Sequence, residues 1–406
     1  MPEILFLAHR IPFPPDRGDK IRSWQVLRAL TKLGRVHLAC FADDDADAAH
    51  LAALREALPE LGEAYVEVRR TGKAKAGLAA LSSGKPLSLT LFDSAEMRRF
   101  VVSKLPGIDA VYIFSSQMAQ FVPASASARV VMDFVDMDSE KFASYAAEGR
   151  GPMRAVYARE ATKLFAYERE VAARADASLF VSQAEANLFR RRTGNLEVQG
   201  ARIHALGNGI DSDLFDPAAT FPTLTAEERG QGPLLLFTGQ MDYRPNIDAV
   251  AWFAGEVLPQ LPDAHFVIAG RNPDAEVQAL AGPRVTVTGG VADMRSWLAA
   301  ADVVVAPLRI ARGVQNKVLE AMAMAKPVVA TPAAFEGIEA DPGRDLIVAD
   351  GPTAFADAIK ALLTDPARAA RLGADARALV VGDYRWEARL APLADLLFSA
   401  TEAQAA

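Results

Sequence analysis

A chain of 406 residues, 51 % apolar and 23 % charged, fits a globular protein of two domains with ample buried cores. Its net charge of −7 is uneven: residues 1–208 carry 28 Lys+Arg against 25 Asp+Glu, and residues 209–406 carry 16 against 26. The acidic half argues against nucleic acid as the main partner, and the basic half suits an anionic membrane surface. A single cysteine, Cys40, rules out an internal disulfide and a cysteine-rich zinc site. No run of 18 apolar residues occurs, and the opening MPEILFLAHRIPFPP lacks a basic n-region. We therefore expect neither a membrane span nor a signal peptide, and a cytoplasmic location.

In chain order, ILFLA (4–8) reads as a buried strand. A helix starting near Asp19 puts Ile21, Trp24, Leu27 and Leu30 on one face and stops at Gly34. Strands follow at 36–41, 110–114, 129–134 and 178–182, with helices at 46–57, 94–104 and 153–174. NGIDSDLFDP (208–217), rich in Gly, Asp and Pro, marks a boundary. The pattern then restarts: strand 234–239, helix 246–257, strands 265–270 and 284–289, helix 293–301 and strand 302–307. The segment RGVQNKVLEAMAMAKPVVAT (312–331) is a loop, a helix and a strand, and helices near 353–363, 366–380 and 385–399 finish the chain. Alternation of this kind predicts an α/β protein with parallel sheets covered on both faces and ligands at the carboxyl ends of the strands. The expected architecture is two Rossmann-like domains with a cleft between them. Neither domain has Gly-x-Gly-x-x-Gly after its first strand, which disfavours a dinucleotide oxidoreductase.

The segment 312–331 carries the most chemistry. A helix N-terminus offers unpaired N–H groups and a favourable dipole to an anion. Lys317 beside those groups suits phosphate, and Glu320 one turn on suits sugar hydroxyls. Together they suit a nucleotide sugar.

Five pieces, NGID (208–211), FTGQMDYRPN (237–246), the strand end at Gly270, TGGVADM (288–294) and KVLEAMAMAKPVVAT (317–331), stand in order over nearly all of the second half. On them the chain resembles the retaining glycosyltransferases of the GT-B fold, in the large family four (glycosyl transferases group 1). HRIPFPPDRGDKIRS (9–23) and DFVDMDSEK (133–141) are similar to the subgroup associated with exosortase/PEP-CTERM exopolysaccharide clusters. The resemblance implies two Rossmann-like domains facing across a cleft: an acceptor domain at 1–208 and a nucleotide-sugar domain at 209–382. A C-terminal helix at 383–406 would pack back on the first domain. It implies transfer of a sugar from a nucleotide diphosphate donor to a glycan or polyprenyl-linked acceptor, with retention and with no metal or other cofactor.

On this resemblance Glu320 matches the second glutamate of a Glu-x7-Glu motif that holds the ribose. The first glutamate is replaced by Arg312, which can hold phosphate but cannot accept hydrogen bonds. An arginine and a lysine that clamp the diphosphate in relatives are here Gln240 and Asn246. Arg271, Lys317, Arg312 and Arg309 are the candidate replacements. Gly239, Gly270 and Gly290 would let backbone approach the donor, and Asn316 and Val318 would present helix N–H groups beside Lys317. In the first domain Gly18 and Asp19 would meet the phosphates, although Asp19 reads equally as an ordinary helix cap. His9 and Asp136 end strands where an acceptor is reached, and Asp136-Met137-Asp138 also matches a weak metal-binding pattern. From Tyr65 to Thr90 five basic residues face one acidic residue, with Leu78, Leu81, Leu87 and Leu89 interleaved, as in an element that rests on an anionic membrane. Two rivals remain open at this point: a sugar-nucleotide 2-epimerase on the same fold, and a non-catalytic nucleotide-sugar binder.

Overall fold

The computed structural model describes residues 1–148, 151–194, 202–311 and 314–398. It contains two all-parallel sheets. The first has seven strands: β1 (Glu3–Ala8), β2 (Arg35–Ala42), β3 (Ala64–Val68), β4 (Ala110–Phe114), β5 (Arg129–Val135), β6 (Ala177–Phe180) and β7 (Arg202–Ala205). Their order is β3-β2-β1-β4-β5-β6-β7. The second has six: β8 (Leu234–Thr238), β9 (His265–Ala269), β10 (Val285–Gly289), β11 (Val303–Ala306), β12 (Val328–Ala330) and β13 (Ile347–Val348). Its order, β10-β9-β8-β11-β12-β13, repeats the same winding. The central strands are fully buried, which is why ILFLA and LLLF read as unbroken apolar runs rather than as alternating ones. The edge strand β3 is half-buried throughout and β13 has two residues, so neither gave a periodic signal.

Several helices differ from the sequence expectation. The 46–57 helix is two, Asp45–Ala49 and Leu51–Ala57, with Asp44 capping the first through the Asp47 N–H. The 246–257 helix is α over Arg244–Trp252 and then a π turn over Phe253–Val257. The last helix is also two, Trp386–Leu390 and Leu393–Phe398. In the Gly18–Leu33 helix Ile21 faces solvent while Arg22 is buried. Burial goes to the arginine because Asp133, itself fully buried, accepts its Nε at 3.0 Å, and the same carboxylate takes the Tyr112 hydroxyl at 2.7 Å. Asp133→Asn removes this charge from a dry site and should lower stability by about 2 kcal/mol. An unchanged denaturation midpoint would contradict that role.

The chain divides into two compact units, Met1–Gly207 with the residues from Leu390 onward, and Asn208–Arg389. The return to the first unit thus begins at 390 rather than 383. Residues 384–389 stay with the second because Ile210 N–H bonds the Tyr384 carbonyl at 2.7 Å and the Tyr384 hydroxyl accepts Glu339 N–H at 2.6 Å. The Leu393–Phe398 helix lies on β4 and β5, and Arg129 Nε donates to the Leu396 carbonyl at 2.6 Å.

Candidate functional site

In the second unit the strand order reverses between β8 and β11, the place where such sheets hold ligands. The Asn316–Ala323 helix enters after β11. It buries Val318, Leu319, Ala321, Met322 and Ala323 and leaves Asn316 exposed at its start. The Lys317 Nζ reaches Asn246 Oδ1 at 2.6 Å and lies 4.2 Å from the centre of the Phe237 ring. Asn246 Nδ2 donates to the Gln240 carbonyl at 2.8 Å, so one buried amide ties the turn after β8 to this lysine. A Cβ on Gly239 would come within 2.7 Å of Asn246 Nδ2 and 3.0 Å of Lys317 Nζ, so glycine is what admits the lysine here. At Gly270 a Cβ would sit 1.6 Å from the Gly239 carbonyl oxygen; that glycine serves the close packing of two strand ends. At Gly290 a Cβ would come 3.2 Å from Arg271 Cγ.

Burial pulls the Lys317 ammonium down to about 7, with Glu320 opposing, while burial raises the Glu320 carboxyl and Lys317 opposes. A half-buried cation with a carboxylate near it gains from an arriving anion. The other candidate cations are placed differently. Arg309 is held by both oxygens of Asp248, with Nε to Oδ2 at 3.0 Å, and so is already balanced. Arg244 pairs with Glu276 at 2.8 Å. Arg271 is exposed and makes no ion pair with another described residue. Arg312 lies outside the described residues. Lys326 of the same motif donates to the carbonyls of Ala299 and Ala301, closing the C-terminus of the Met294–Ala300 helix. Val318 is fully buried, so its side chain belongs to the core, and its N–H, expected to be open at the helix start, already donates to the Gln315 carbonyl at 3.0 Å. Asn246 is the residue that sequence reasoning missed. It was counted as an absent cation, and its contact with a lysine 71 positions away has no local signal.

In the first unit the order reverses between β1 and β4. His9, which follows β1, stacks on Phe114 (5.8 Å, 11°), and its buried Nδ1 has no hydrogen-bond partner among the described residues. Its Nε2 lies 3.4 Å from Asp19 and 3.2 Å from Arg10. Gly18 opens the helix with Arg17 at the cap position and no side-chain capping bond, so Asp19 is not the helix cap that its position suggested. Its carboxylate is held by Arg10 at 2.8 Å and Arg17 at 3.3 Å. Although burial opposes it, His9 and Arg10 hold this group well below the usual carboxylate range. A Cβ on Gly18 would meet none of the described residues within 4 Å. Arg10 and Arg17 also reach Asp43, each at 3.0 Å, a grouping that spacing along the chain did not reveal.

Beside this lie the ends of β4 and β5. Ser115 (φ 78°) and Val135 (φ 68°) both stand in the left-handed region, which costs a non-glycine residue on the order of 1–3 kcal/mol. The turn is held by Asp133, whose Oδ1 accepts Val135 N–H at 3.0 Å and whose carbonyl accepts Ser115 N–H at 2.8 Å. It delivers Asp136 to the surface. Although the residue is exposed, protein crowded around its carboxyl, together with the charges of Glu185 and Asp138, raises Asp136 to about 6. Asp138, raised by burial, is opposed by Lys141, His9 and a hydrogen bond with Gln117. Among the described residues no group of three or more His, Cys, Asp or Glu is arranged to hold a metal ion. A cavity of about 520 Å³ opens instead at the amino ends of β4 and β5, lined by Asp109, Arg129, Arg174 and Asp176. Each of these four is bonded within the fold, so volume does not mark the chemistry.

Solved structures match nearly the whole chain. HepE of Anabaena, solved in complex with UDP, gives a TM-score of 0.65 at 17 % identity and covers 98 % of this chain and 99 % of that one. Sucrose-phosphate synthase of Thermosynechococcus elongatus gives 0.67 at 19 % identity and covers 98 % of each. The fold is therefore GT-B, a pair of Rossmann-like α/β units, as the residues led us to expect. Residues 232–365, which contain Gly239, Asn246, Lys317 and Glu320, match the family Glycosyl transferases group 1. Over 240 residues the chain is 30 % identical to the GDP-mannose-dependent alpha-(1-6)-phosphatidylinositol monomannoside mannosyltransferase of Mycobacterium tuberculosis, covering 55 % of this chain and 61 % of the relative. Over 260 residues it is 33 % identical to the D-inositol 3-phosphate glycosyltransferase of Xylanimonas cellulosilytica, covering 58 % and 60 %. The chain thus spans about three fifths of the length of these curated relatives.

Proposed function

We propose that this protein is a retaining, metal-independent glycosyltransferase that moves a sugar from a nucleotide diphosphate donor to a glycan or polyprenyl-linked acceptor in exopolysaccharide synthesis. The observation that carries this reading is the Lys317 ammonium. It is held by Asn246 at the turn after β8, at the start of a helix and one turn before Glu320. These groups lie inside the segment that matches the glycosyltransferase family. Relatives named for GDP-mannose and a neighbour solved with UDP support a nucleotide-sugar donor. The first-half motifs at 9–23 and 133–141 are what favour the exopolysaccharide setting.

The departing diphosphate accumulates negative charge as the sugar becomes cationic at its anomeric carbon. Lys317 and the N–H groups of the helix start stabilise that charge. Glu320 accepts two hydrogen bonds from the ribose diol. In the first unit Asp136, titrating near 6, is exposed to receive an acceptor hydroxyl, and His9 with Arg10 lines the approach. Asp19 stays ionised and positions those two side chains. A cytoplasmic site at the inner face of the membrane would present a lipid-linked acceptor.

The test begins with thermal shifts against UDP, GDP, ADP and dTDP, since a ligand of the folded state stabilises it by mass action. The nucleotide that binds is then offered as its sugar conjugate with lipid-linked acceptors and EDTA, and the anomer of the product is read by NMR. Expected are stabilisation by one nucleoside diphosphate, turnover that survives EDTA, and a retained anomer. Stabilisation by none would remove the donor reading. An inverted product would remove retention, and donor turnover without acceptor would favour an epimerase.

Asn246→Asp tests the lysine's role directly. An aspartate 2.6 Å from Nζ would pair the ammonium permanently and spend its charge before the diphosphate arrives. Nucleotide affinity should fall about tenfold or more, while Asn246→Ala should cost less. Equal affinities in the two variants would contradict the assignment.

A further inference from the structure

Asp136 stands on a turn that two neighbouring helices grip. Val135 ends β5 in the left-handed region, and its carbonyl accepts Val181 N–H at 2.7 Å, which ties the end of β5 to the end of β6. Ser182 then caps the Gln183–Thr193 helix, its Oγ accepting Glu185 N–H at 3.2 Å. Ser182-Gln183-Ala184-Glu185 has the spacing of a capping box, in which the glutamate reaches back to the N–H of the cap residue. Thr225 and Glu228 close both bonds of such a box. The Glu185 carboxylate is turned to another element: its Oε2 accepts Met137 N–H at 3.0 Å. The residue next to Asp136 is thus held by a side chain whose spacing along the chain suits a local cap.

Glu168 of the Pro152–Arg174 helix holds the following step. It is buried, its Oε1 accepts Ser139 N–H at 3.1 Å, and its Oε2 lies 2.5 Å from Ser139 Oγ. The two carboxyls differ in charge. Burial, with Asp138 and Glu140 adding to it, raises Glu168 to about 8 against the bonds from Ser139, so it is a neutral acid at pH 7. Glu185 is half-buried, and its charge is one of those that raise Asp136. The other charged groups that act on Asp136 are Asp138 and Lys141 of the Asp138–Glu148 helix and Arg22 of the Gly18–Leu33 helix, with the two cations opposing.

We propose that Glu185 is a positioning residue for transfer: its bond to Met137 N–H sets the Asp136 carboxyl toward the acceptor hydroxyl, and its negative charge stands against that of Asp136. A carboxylate with a like charge beside it accepts a hydrogen bond from a hydroxyl more strongly. This role rests on the reading of Asp136 as the group that receives the acceptor.

Glu185→Gln keeps an oxygen for the Met137 bond and loses the charge, whereas Glu185→Ala loses both. Asp136 is titrated by carboxyl-carbon NMR in the full-length protein with EDTA present, its signal assigned by its loss in Asp136→Asn, and no substrate is needed. Expected is a midpoint about one pH unit lower in Glu185→Gln. Glu168→Gln, which exchanges one neutral group for another, should leave the Asp136 midpoint in place. An unmoved midpoint in Glu185→Gln overturns the proposal. So does an equal shift in Glu168→Gln, because loosening of the turn would then move Asp136 by itself. In transfer assays the acid limb of kcat/KM should lie about one pH unit lower in Glu185→Gln, and the acceptor KM should rise about fivefold in Glu185→Ala with kcat less affected. An unchanged KM in Glu185→Ala contradicts the positioning. Full transfer by Asp136→Asn would instead remove Asp136 from the acceptor site, a failure of the underlying reading that the titration alone does not produce.

Discussion

Lys317→Met is expected to lower kcat/KM for the nucleotide sugar about a thousandfold, about 4 kcal/mol of transition-state stabilisation. The substitution keeps the volume beside the Phe237 ring and removes the charge together with the hydrogen bond to Asn246. The pH dependence gives the sharper reading. In the free protein burial lowers this ammonium to about 7, with Glu320 opposing. A bound diphosphate restores its preference for the charged form, so binding takes up a proton above about pH 7. Wild-type affinity should therefore fall as pH rises through 7, and calorimetry in buffers of different ionisation enthalpy should show the proton. A nucleotide sugar is the right probe, because its diphosphate does not titrate in this range. The sign for stability is the reverse. Burial of the charged lysine opposes folding below about pH 7, and this cost is relieved as pH rises from there toward 10.5. Lys317→Met should thus stabilise the free protein most at acid pH while binding the donor worst. A flat pH profile in the wild type, or unchanged affinity in the variant, would exclude the lysine from the phosphate site.

Glu320→Ala is expected to weaken nucleotide binding about a hundredfold, near 2.7 kcal/mol, through the loss of two charge-assisted hydrogen bonds to the ribose. It also removes the one carboxylate that raises Lys317. The pH above which affinity declines should therefore move to lower values in this variant. A 2′-deoxynucleotide separates the two effects. Wild type should bind it far more weakly than the ribonucleotide, and Glu320→Ala should bind both alike. Retained discrimination in the variant would show that another residue holds the diol.

The two units contribute unlike chemistry, and their charges follow it. The second unit, acidic overall, holds the Lys317 ammonium against Asn246, where we propose that a diphosphate is bound. The first has two carboxyls, Asp136 and Asp138, raised above the usual carboxylate range chiefly by burial, where we propose that hydroxyl groups are received. Its two left-handed residues, Ser115 and Val135, are tied to Asp133 at this same edge. That is the usual place for a fold to hold an unfavourable backbone.

By itself the sequence determined the class of fold. Continuous apolar strands alternating with amphipathic helices have one good packing, a parallel sheet covered on both faces, and that signal is local and strong. It also located the Asn316–Ala323 helix with Lys317 and Glu320 one turn apart on it, because helix starts and one-turn spacings are written in consecutive residues. Tertiary structure alone decided how each cation is partnered. Arg309 and Lys317 read alike as isolated basic residues, but Asp248 neutralises the first and Asn246 aims the second. It likewise decided that Gly270 packs strand against strand while Gly239 makes room for an ammonium, and that Asp19 binds arginines instead of capping its helix. It turned Leu78 and Leu81 outward and Arg22 inward, against their hydropathy. In each case the deciding partner is distant in the chain, and hydrogen bonds, ion pairs and burial depend on distance in space.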